Sequence, residues 1–424
     1  MTAPFPGFRV AFAAVLFAAA STPCGAQQLP PIRQLRPVEH ASKELLGAVT
    51  QVVALPDGRV LVHDLRRRRV VLFDSTLDSF TVIADGTDAT SNAYSSRAAS
   101  LIRYAGDSSL FIDPTALAMT VIDGTGKMGR IMAVPSPQDA NRLTGGTNGT
   151  PGIDGYGRLV FLGAQKRVLG AVPPQDSAPL IAFDLRSRRA DTLAKLLRPG
   201  GYAPVKVESP EFGALFFAPT APMPMSDDWA VLADGSVAVV RGQDYHVDWI
   251  RPGLKVTATR KLPFAWMHLD DSTKAAFMDS VKAVVAAIDA ERQRQIDAGV
   301  TPTAIERPPG TPLPILSAAE SQMKNASVLK APPQAFVSSS SLPDYAPPFA
   351  PGAVSSDMDG NLWVRTSIVV NGGSIYDVIS GMGVLVDRVQ VPARRVIAGF
   401  GKGGIVYMGV RDGDGVRLEQ ARGQ

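Results

Sequence analysis

The sequence predicts an all-β fold, a six-bladed β-propeller with a helical, Pro-rich insertion between blades 4 and 5. Three observations support this prediction. A turn-and-strand pattern recurs six times, further strand-like runs follow most copies, and one long segment of helical periodicity interrupts the repeat. Recurrence of this kind is typical of architectures in which each unit buries its faces against its neighbours.

The repeated unit is a short turn rich in Gly, Asp or Ser, followed by a run of β-branched and aromatic residues. In "MDGNLWVRT" (358–366), Asp359-Gly360 provides the positive φ that a two-residue hairpin requires. The other copies are "PDGRVLVHD" (56–64), "GDSSLFIDP" (106–114), "GYGRLVFLG" (155–163), "ADGSVAVVRG" (233–242) and "GKGGIVYMG" (401–409).

With the strands that precede and follow it, each hairpin belongs to a unit of about four antiparallel strands. A single four-stranded sheet cannot bury both of its faces. Stacking six such sheets around an axis buries them against each other and leaves only short edges, which is the propeller architecture. We therefore assign residues 49–424 to the propeller.

The last unit lacks a strand, because only "GVRLEQARG" follows its hairpin before the chain ends. The segment 27–48, which contains "PPIRQLRPVEH" (30–40), either supplies that strand or lies outside the ring.

Two segments interrupt the repeat. Residues 199–227 are rich in Pro, Ala and Phe and are interpreted as an ordered loop. The insertion, 265–351, begins with a predicted helix that Asp271 or Ser272 caps and Gly299 ends. The rest of the insertion is Pro- and Ser-rich, with a short helix predicted over 318–329.

The first 26 residues resemble an export signal. Arg9 precedes an apolar stretch, 10–20, that is too short to span a bilayer, and Cys24 and Ala26 are spaced for cleavage after Ala26. The alternative, a lipid anchor on Cys24, fits the preceding Thr22-Pro23 poorly. No later segment is apolar enough for a membrane span, so we expect a periplasmic or secreted monomer without disulfides.

The formal net charge of +4 is spread along the chain, apart from the cluster Arg66–Arg69. No RNA- or DNA-binding signature accompanies this cluster, so we interpret it as a solvated turn and expect no nucleic-acid partner.

Two stretches, "LPDYAPPFAPGAVSSDMDGNLWVRT" (342–366) and "RRVIAGFGKGGIVYMGVRDGDGVRLEQAR" (394–422), resemble exported bacterial six-bladed propellers related to the NHL and TolB-like propellers. The resemblance covers about 49–422 and implies architecture and export. Such propellers often bind proteins, peptides or carbohydrates. One branch of six-bladed propellers holds a central Ca²⁺ and hydrolyses lactones or phosphoesters, but the ligands of that site cannot be matched residue by residue here.

Propeller geometry places the ends of the second strands, and the longer loops, on one face of the ring, hereafter the loop face. Polar residues accumulate there and predict a funnel for an anionic or sugar-like ligand, because arginine binds carboxylate and phosphate groups in a bidentate manner. The candidate ligand-binding residues are His63, Asp64, Arg97, Asp113, Arg241, Tyr245, His246 and Arg365.

Each candidate also has a structural interpretation, since charged strand ends are commonly solvated or paired. His63 and Asp64 are either an acid/base pair or a buried histidine beside an unrelated carboxylate. No spacing predicts a zinc site, so we expect no metal and no cofactor, with Ca²⁺ as the alternative. The sequence leaves open whether the protein is catalytic. It is either a binding module for a peptide, protein or glycan, or a Ca²⁺- or His/Asp-dependent hydrolase or lyase acting in the central funnel.

Overall fold

The computed structural model describes residues 29–86, 99–165, 176–198, 205–209, 213–217, 219–253, 255–298, 335–413 and 415–423. The predicted signal peptide and the short helix predicted over 318–329 lie outside these residues.

Six antiparallel sheets follow one another along the chain, each built from consecutive strands. Two short strands precede them, β1 (Ile32–Gln34) and β2 (His40–Ala41). Blade 1 contains β3 (Val49–Ala54), β4 (Val60–Asp64), β5 (Arg69–Phe73) and β6 (Phe80–Asp85). Blade 2 contains β7 (Ser100–Arg103), β8 (Ser109–Asp113), β9 (Ala118–Ile122) and β10 (Met128–Ala133). Blade 3 contains β11 (Gly152–Ile153), β12 (Leu159–Leu162), β13 (Ser177–Phe183) and β14 (Ala190–Leu197).

A separate hairpin follows, formed by β15 (Val205–Ser209) and β16 (Gly213–Phe217), within the segment predicted to be a loop. Blade 4 contains β17 (Asp228–Val231), β18 (Val237–Arg241), β19 (His246–Ile250) and β20 (Thr257–Ala258). Blade 5 contains β21 (Phe349–Ser356), β22 (Leu362–Val370), β23 (Gly373–Ile379) and β24 (Leu385–Val391). Blade 6 contains β25 (Arg395–Phe400), β26 (Ile405–Asp412) and β27 (Gly415–Arg422).

The first strand of each blade lies at the centre of a closed ring. These inner strands contact one another in sequence from β3 through β7, β11 and β17 to β21, and β25 contacts β3 again. An apolar cluster joins blades 5 and 6 through Trp363 and Phe400, whose ring centroids are 5.1 Å apart. The predicted six-bladed propeller is therefore confirmed.

The hydrophobic core is divided into six apolar clusters, one between each pair of neighbouring blades. Between blades 4 and 5, for example, Val240 and Trp249 pack with Phe349 and Leu362, all nearly or fully buried. Because each sheet is buried only by its neighbours, the ring stabilises every blade at once.

The N-terminal segment crosses the joint between blades 5 and 6. Strand β1 adds to β24 in parallel as a fifth strand of blade 5. Strand β2 pairs antiparallel with β27 and is the fourth strand of blade 6. Arg33 reaches Asp387 of blade 5 by an ion pair, and Arg36 N–H donates to the carbonyl of Arg422. The N-terminal segment thus extends blade 5 and supplies the strand that blade 6 lacks, beside the C-terminal strand β27.

The insertion between blades 4 and 5 contains α1 (Asp271–Asp297), which confirms the predicted helix. The predicted cap was wrong, because Asp271 and Ser272 already lie in the first turn and Asp270 caps the helix by accepting a hydrogen bond from Thr273 N–H at 2.7 Å. Gly299, the predicted end, lies outside the described residues. Met278, Val281 and Val285 lie on one side of this helix and are buried. An antiparallel bridge between His268 and Tyr345 joins the start and end of the insertion, so it rises from a narrow base on the loop face.

Candidate functional site

A surface pocket of about 340 Å³ lies at the loop-face end of blade 4. Strand β18 ends there at Arg241, a four-residue turn follows, and β19 begins at His246. The predicted residues Arg241 and His246 therefore lie in one pocket, and its lining is Leu197, Asp227, Arg241, Gln243, Asp244 and His246.

The charged groups of this pocket form a continuous chain of contacts. Arg241 donates from Nε to Asp248 at 2.8 Å and from Nη1 to Asp227 at 2.6 Å. Asp248 Oδ1 also lies 3.3 Å from Nε2 of His246. The other ring nitrogen of His246, Nδ1, lies 2.6 Å from Oδ1 of Asp244. Asp227 and Asp248 raise the pKa of Arg241, against its partial burial. The guanidinium predicted to bind an anion is thus already held by two carboxylates.

His246 is flanked by a carboxylate on each ring nitrogen. A neutral imidazole has one N–H and one acceptor nitrogen, and its protonated form has two N–H groups. In either form both nitrogens face protein carboxylates. Neither nitrogen is directed at a site where it could take a proton from a bound molecule.

Tyr245, the third predicted residue of this turn, is completely buried and does not line the pocket. Its backbone adopts φ +51°, and its hydroxyl donates to Asp377 of blade 5 at 2.8 Å. Burial raises the pKa of Asp377 to about 6, although Tyr245 and Arg388 oppose the shift. Tyr245 therefore links blades 4 and 5 by a buried hydrogen bond and packs under the turn instead of lining the pocket.

A row of aromatic side chains leads away from this turn along the base of the insertion. Phe264 packs against Tyr245 with 5.5 Å between ring centroids, and Trp266 lies 5.4 Å from Phe264. Tyr345 is 6.4 Å from Trp266 and 5.2 Å from His268. Tyr345 is 48% exposed, Trp266 is partly buried, and His268 is exposed.

The pocket and this aromatic row form one continuous surface. Leu262 N–H donates to the carbonyl of Tyr245 at 2.7 Å, which fixes the start of the insertion against the turn. Lys261 also reaches Asp244 of the pocket at 3.7 Å. We refer to the pocket and the row together as the blade 4 surface.

The predicted central funnel is crossed by the loop between blades 2 and 3. Trp229 of blade 4 donates from its indole N–H to Asn148 O at 3.0 Å. At the other side, a Cβ built on Gly145 would lie 3.2 Å from Gln51 of blade 1. Blades 1 and 4 are opposite each other in a six-membered ring, so residues 145–149 span the axis.

Arg198 fixes this crossing segment. Its Nη1 donates to Thr147 O at 3.2 Å, and its Nη2 lies 3.3 Å from Asp228. Asp228 is fully buried, which raises its pKa, and it also accepts from Val354 N–H of blade 5. Buried charges therefore anchor the segment that crosses the axis.

His63 and Asp64 form hydrogen bonds with different groups, which favours the structural interpretation of these two side chains. His63 is fully buried, and this burial lowers its pKa to about 4. Its Nδ1 lies 2.9 Å from Thr50 Oγ1. The carboxylate of Asp64 instead accepts from the N–H groups of Gly47 and Ala48, at 2.9 and 3.0 Å. Both side chains stabilise blade 1.

The remaining candidates do not join the pocket. Asp113 accepts from Thr115 N–H at 3.0 Å and shapes the turn after β8 in blade 2. Arg365 is half-buried opposite Tyr376 on the β22–β23 pair of blade 5. Arg97 lies outside the described residues.

Two features bear on cofactors and membranes. Within the described ranges, the structure contains no group of three or more His, Cys, Asp or Glu side chains arranged to hold a metal ion. In the same part of the chain, no helix combines the length and apolar character that crossing a bilayer requires.

The ring of blades and the blade 4 surface define the chain as a six-bladed β-propeller protein with a pocket on its loop face. No protein-family model and no curated protein matches the sequence.

Among solved structures, the chain is similar to the PQQ-bound aldose sugar dehydrogenase of Streptomyces coelicolor, with 11% identity over 93% of this chain and 99% of that one, at a TM-score of 0.40. It is also similar to the calcium-binding protein regucalcin of Agrobacterium tumefaciens, with 11% identity over 93% and 98% of the two chains, at a TM-score of 0.39. Virginiamycin B lyase of Staphylococcus aureus shows 9% identity over 89% and 95%, at a TM-score of 0.37. Likenesses this distant carry no inference about ligand or reaction.

Sequence reasoning missed the aromatic row and two of the three carboxylates that hold the pocket's Arg241 and His246. Asp227 directly precedes β17, and Asp248 is the central residue of β19 with its side chain on the polar face of the strand pattern, where a charged residue usually faces solvent. The signal for the row was "FAWMH" (264–268), whose alternating rings precede the predicted helix.

Proposed function

We propose that this protein is an extracytoplasmic binding module that holds a peptide, protein or glycan ligand on the blade 4 surface. The observation that carries the proposal is the juxtaposition of a pocket of about 340 Å³ with an exposed aromatic row. Loops on a rigid scaffold commonly carry binding sites, and amphipathic rings such as Tyr345 and Trp266 provide large contact areas.

The state of the ionisable groups favours binding over catalysis. A general acid or base needs a free position toward the substrate, and both nitrogens of His246 face carboxylates. Arg241 is held by Asp227 and Asp248 in the same way. The pocket therefore offers a fixed pattern of acceptors and donors that suits recognition. The alternative is a hydrolase or lyase in the central funnel. It is less well supported, because residues 145–149 cross the axis where its substrate would bind.

Export is part of the proposal and is supported by the sequence of residues 1–26. Under this proposal the chain is cleaved after Ala26, and the mature protein begins at Gln27. Mass spectrometry of the protein recovered from the periplasm or medium tests this. An N-terminus at Met1, or a lipid on Cys24, would contradict the proposed processing. Kinship with NHL and TolB-like propellers remains a proposal that rests on the motifs in 342–366 and 394–422.

Trp266 offers a direct assay for binding. The other three tryptophans, Trp229, Trp249 and Trp363, are at most 4% exposed, so a ligand on the surface should change mainly the emission of Trp266. We expect at least one ligand from a panel of peptides and glycans to change this emission saturably, and the change to disappear in Trp266→Phe. Sustained turnover of esters or lactones by the purified protein would contradict the proposal.

A further inference from the structure

The contacts of the pocket also indicate which ligand charge the blade 4 surface prefers. Arg241 is the only cation that lines the described pocket, and its Nε and Nη1 donate to Asp248 and Asp227. Its Nη1 also donates to the carbonyl of Lys195 at 2.9 Å. An anionic ligand would have to displace a carboxylate from this guanidinium, whereas a cation would meet carboxylate oxygens that are already in place.

A count of charges over the described part of this surface supports the same preference. The pocket lining, its bonded neighbour Asp248, the segment 260–274 and Asp344 together contain six carboxylates and four cations. The carboxylates are Asp227, Asp244, Asp248, Asp270, Asp271 and Asp344, and the cations are Arg241, Arg260, Lys261 and Lys274. On the formal convention that counts histidine as neutral, which also gives the charge of the whole chain, these groups sum to −2. The whole chain has a formal net charge of +4, so this surface is acidic on a basic protein.

The aromatic row adds a second attraction for cations. The face of an aromatic ring carries a negative potential that attracts ammonium and guanidinium groups within about 6 Å of its centroid. Tyr345, an exposed ring of the row, lies next to Asp344, whose side chain is 78% exposed although it also pairs with Lys274 at 2.6 Å. A neutral glycan could stack on the rings, but it would gain nothing from the excess of carboxylates.

The dimensions suit an extended peptide. The steps between ring centroids along the row are 5.4, 6.4 and 5.2 Å. Two residues of extended chain span about 6.6 Å, so alternate side chains of a peptide would meet successive rings.

From these observations we propose that the ligand of the blade 4 surface is a basic peptide segment. Its arginine or lysine side chains lie over Tyr345 and Trp266 and beside the carboxylates of Asp244 and Asp344. This inference rests on the proposed binding function and adds the chemical class of the ligand.

The test compares three probes by Trp266 fluorescence on the full mature chain. The probes are a blocked Arg-Gly-Arg-Gly-Arg peptide, its Glu counterpart and a neutral glucose hexasaccharide. We expect saturable binding of the arginine peptide, at least tenfold weaker binding of the glutamate peptide, and no response to the sugar. Raising NaCl from about 50 to about 500 mM should weaken the arginine peptide further, because salt screens exposed charges.

Variants inside and outside the blade 4 surface test whether the arginine peptide binds there. Asp244→Asn and Tyr345→Ala should each weaken the arginine peptide about threefold to fivefold, as loss of one exposed charge or cation–π contact does. Two matched controls should leave binding unchanged: Asp191→Asn on the outer strand of blade 3, and Tyr156→Ala in the hairpin turn of blade 3. Thermal unfolding of every variant shows whether it is folded.

The outcomes separate the two proposals. Binding of the sugar or of the glutamate peptide to Trp266 with equal or higher affinity would overturn the inference and leave the binding function standing. If none of these probes and no ligand of a wider panel changes Trp266 emission, the binding function itself fails. Binding that neither Asp244→Asn nor Tyr345→Ala affects would also overturn the inference.

Discussion

Replacing Tyr245 by phenylalanine tests whether a single buried hydrogen bond joins blades 4 and 5. The Tyr245 hydroxyl donates to Asp377 at 2.8 Å, and both side chains are at most 1% exposed. Hydrogen bonds to charged groups typically contribute about 1.5 to 3 kcal/mol. We therefore expect Tyr245→Phe to lower the free energy of unfolding by about 2 kcal/mol at pH 8, where Asp377 is ionised.

The loss should depend on pH, and its sign follows from the pKa of Asp377. Burial raises this pKa from 3.8 to about 6, so between these values the folded protein binds more protons than the unfolded chain. Stability therefore falls as pH rises through this window, by about 3 kcal/mol for this group. The Tyr245 hydroxyl lowers the pKa of Asp377, so its removal raises that pKa and extends the fall in stability above pH 6. The deficit of the variant should be smaller at pH 4.5 than at pH 8.

Urea unfolding followed by tryptophan emission at pH 4.5 and pH 8 measures both effects. Tyr407→Phe is a matched control, because Tyr407 is also buried but donates to no carboxylate among the described residues. A deficit for Tyr245→Phe that is equal at both pH values, or no larger than that of Tyr407→Phe, would refute the reasoning.

Three further perturbations test the ring and its closures. Arg198→Met leaves Asp228 buried without its counter-charge and should cost about 3 kcal/mol in calorimetric unfolding, while Arg130→Met on an exposed strand should cost little. Gly149→Val should displace the crossing segment and change the near-UV circular dichroism of Trp229, because a Cβ at residue 149 would lie 2.5 Å from the indole nitrogen of Trp229. Gly157→Val is the control: Gly157 has a similar φ of +76° and no atom lies within 4 Å of the added Cβ, so this variant should leave the spectrum of Trp229 unchanged. Deletion of residues 27–41 removes β1 and β2 and leaves the edge of β27 unpaired. We expect a lower thermal midpoint and more light scattering, because an unpaired edge strand promotes aggregation. An unchanged midpoint would contradict this expectation.

The sequence predicts the parts of this fold that short-range patterns determine. Each Asp-Gly or Gly-rich turn specifies a hairpin by its positive φ, as Gly58, Gly235 and Gly360 show, and six such hairpins predict six blades. The long helix was equally predictable, since its apolar spacing lies within a few turns, but its cap is Asp270 instead of the predicted Asp271 or Ser272. Where a strand pairs with a distant one, no local signal exists, so the parallel addition of β1 to β24 could not be foreseen.

The candidate site was predictable only in part for the same reason. Arg241 and His246 are close in sequence and close in the pocket. In the sequence, Tyr245 is as plausible a binding residue as its two neighbours. In the structure its backbone has a positive φ, and its side chain points into the core, where it bonds Asp377, 132 residues away. The segment 145–149 and the pairing of Asp227 and Asp248 with Arg241 depend on how blades are arranged around the axis, which residue patterns do not encode.

The late completion of blade 6 has a consequence for how the protein is made. Arg417 donates to the carbonyl of Ser42, which lies 375 positions earlier in the chain. Strand β2 can pair only after β27 has been synthesised. Because a chain is synthesised from its N-terminus, the first strands emerge long before their partners, and closing so long a loop is slow. A chain released before β25 to β27 are synthesised would form five sheets in an open arc, with an unpaired sheet edge at each end. Such truncated products should depend on chaperones or proteases in the compartment where the ring closes.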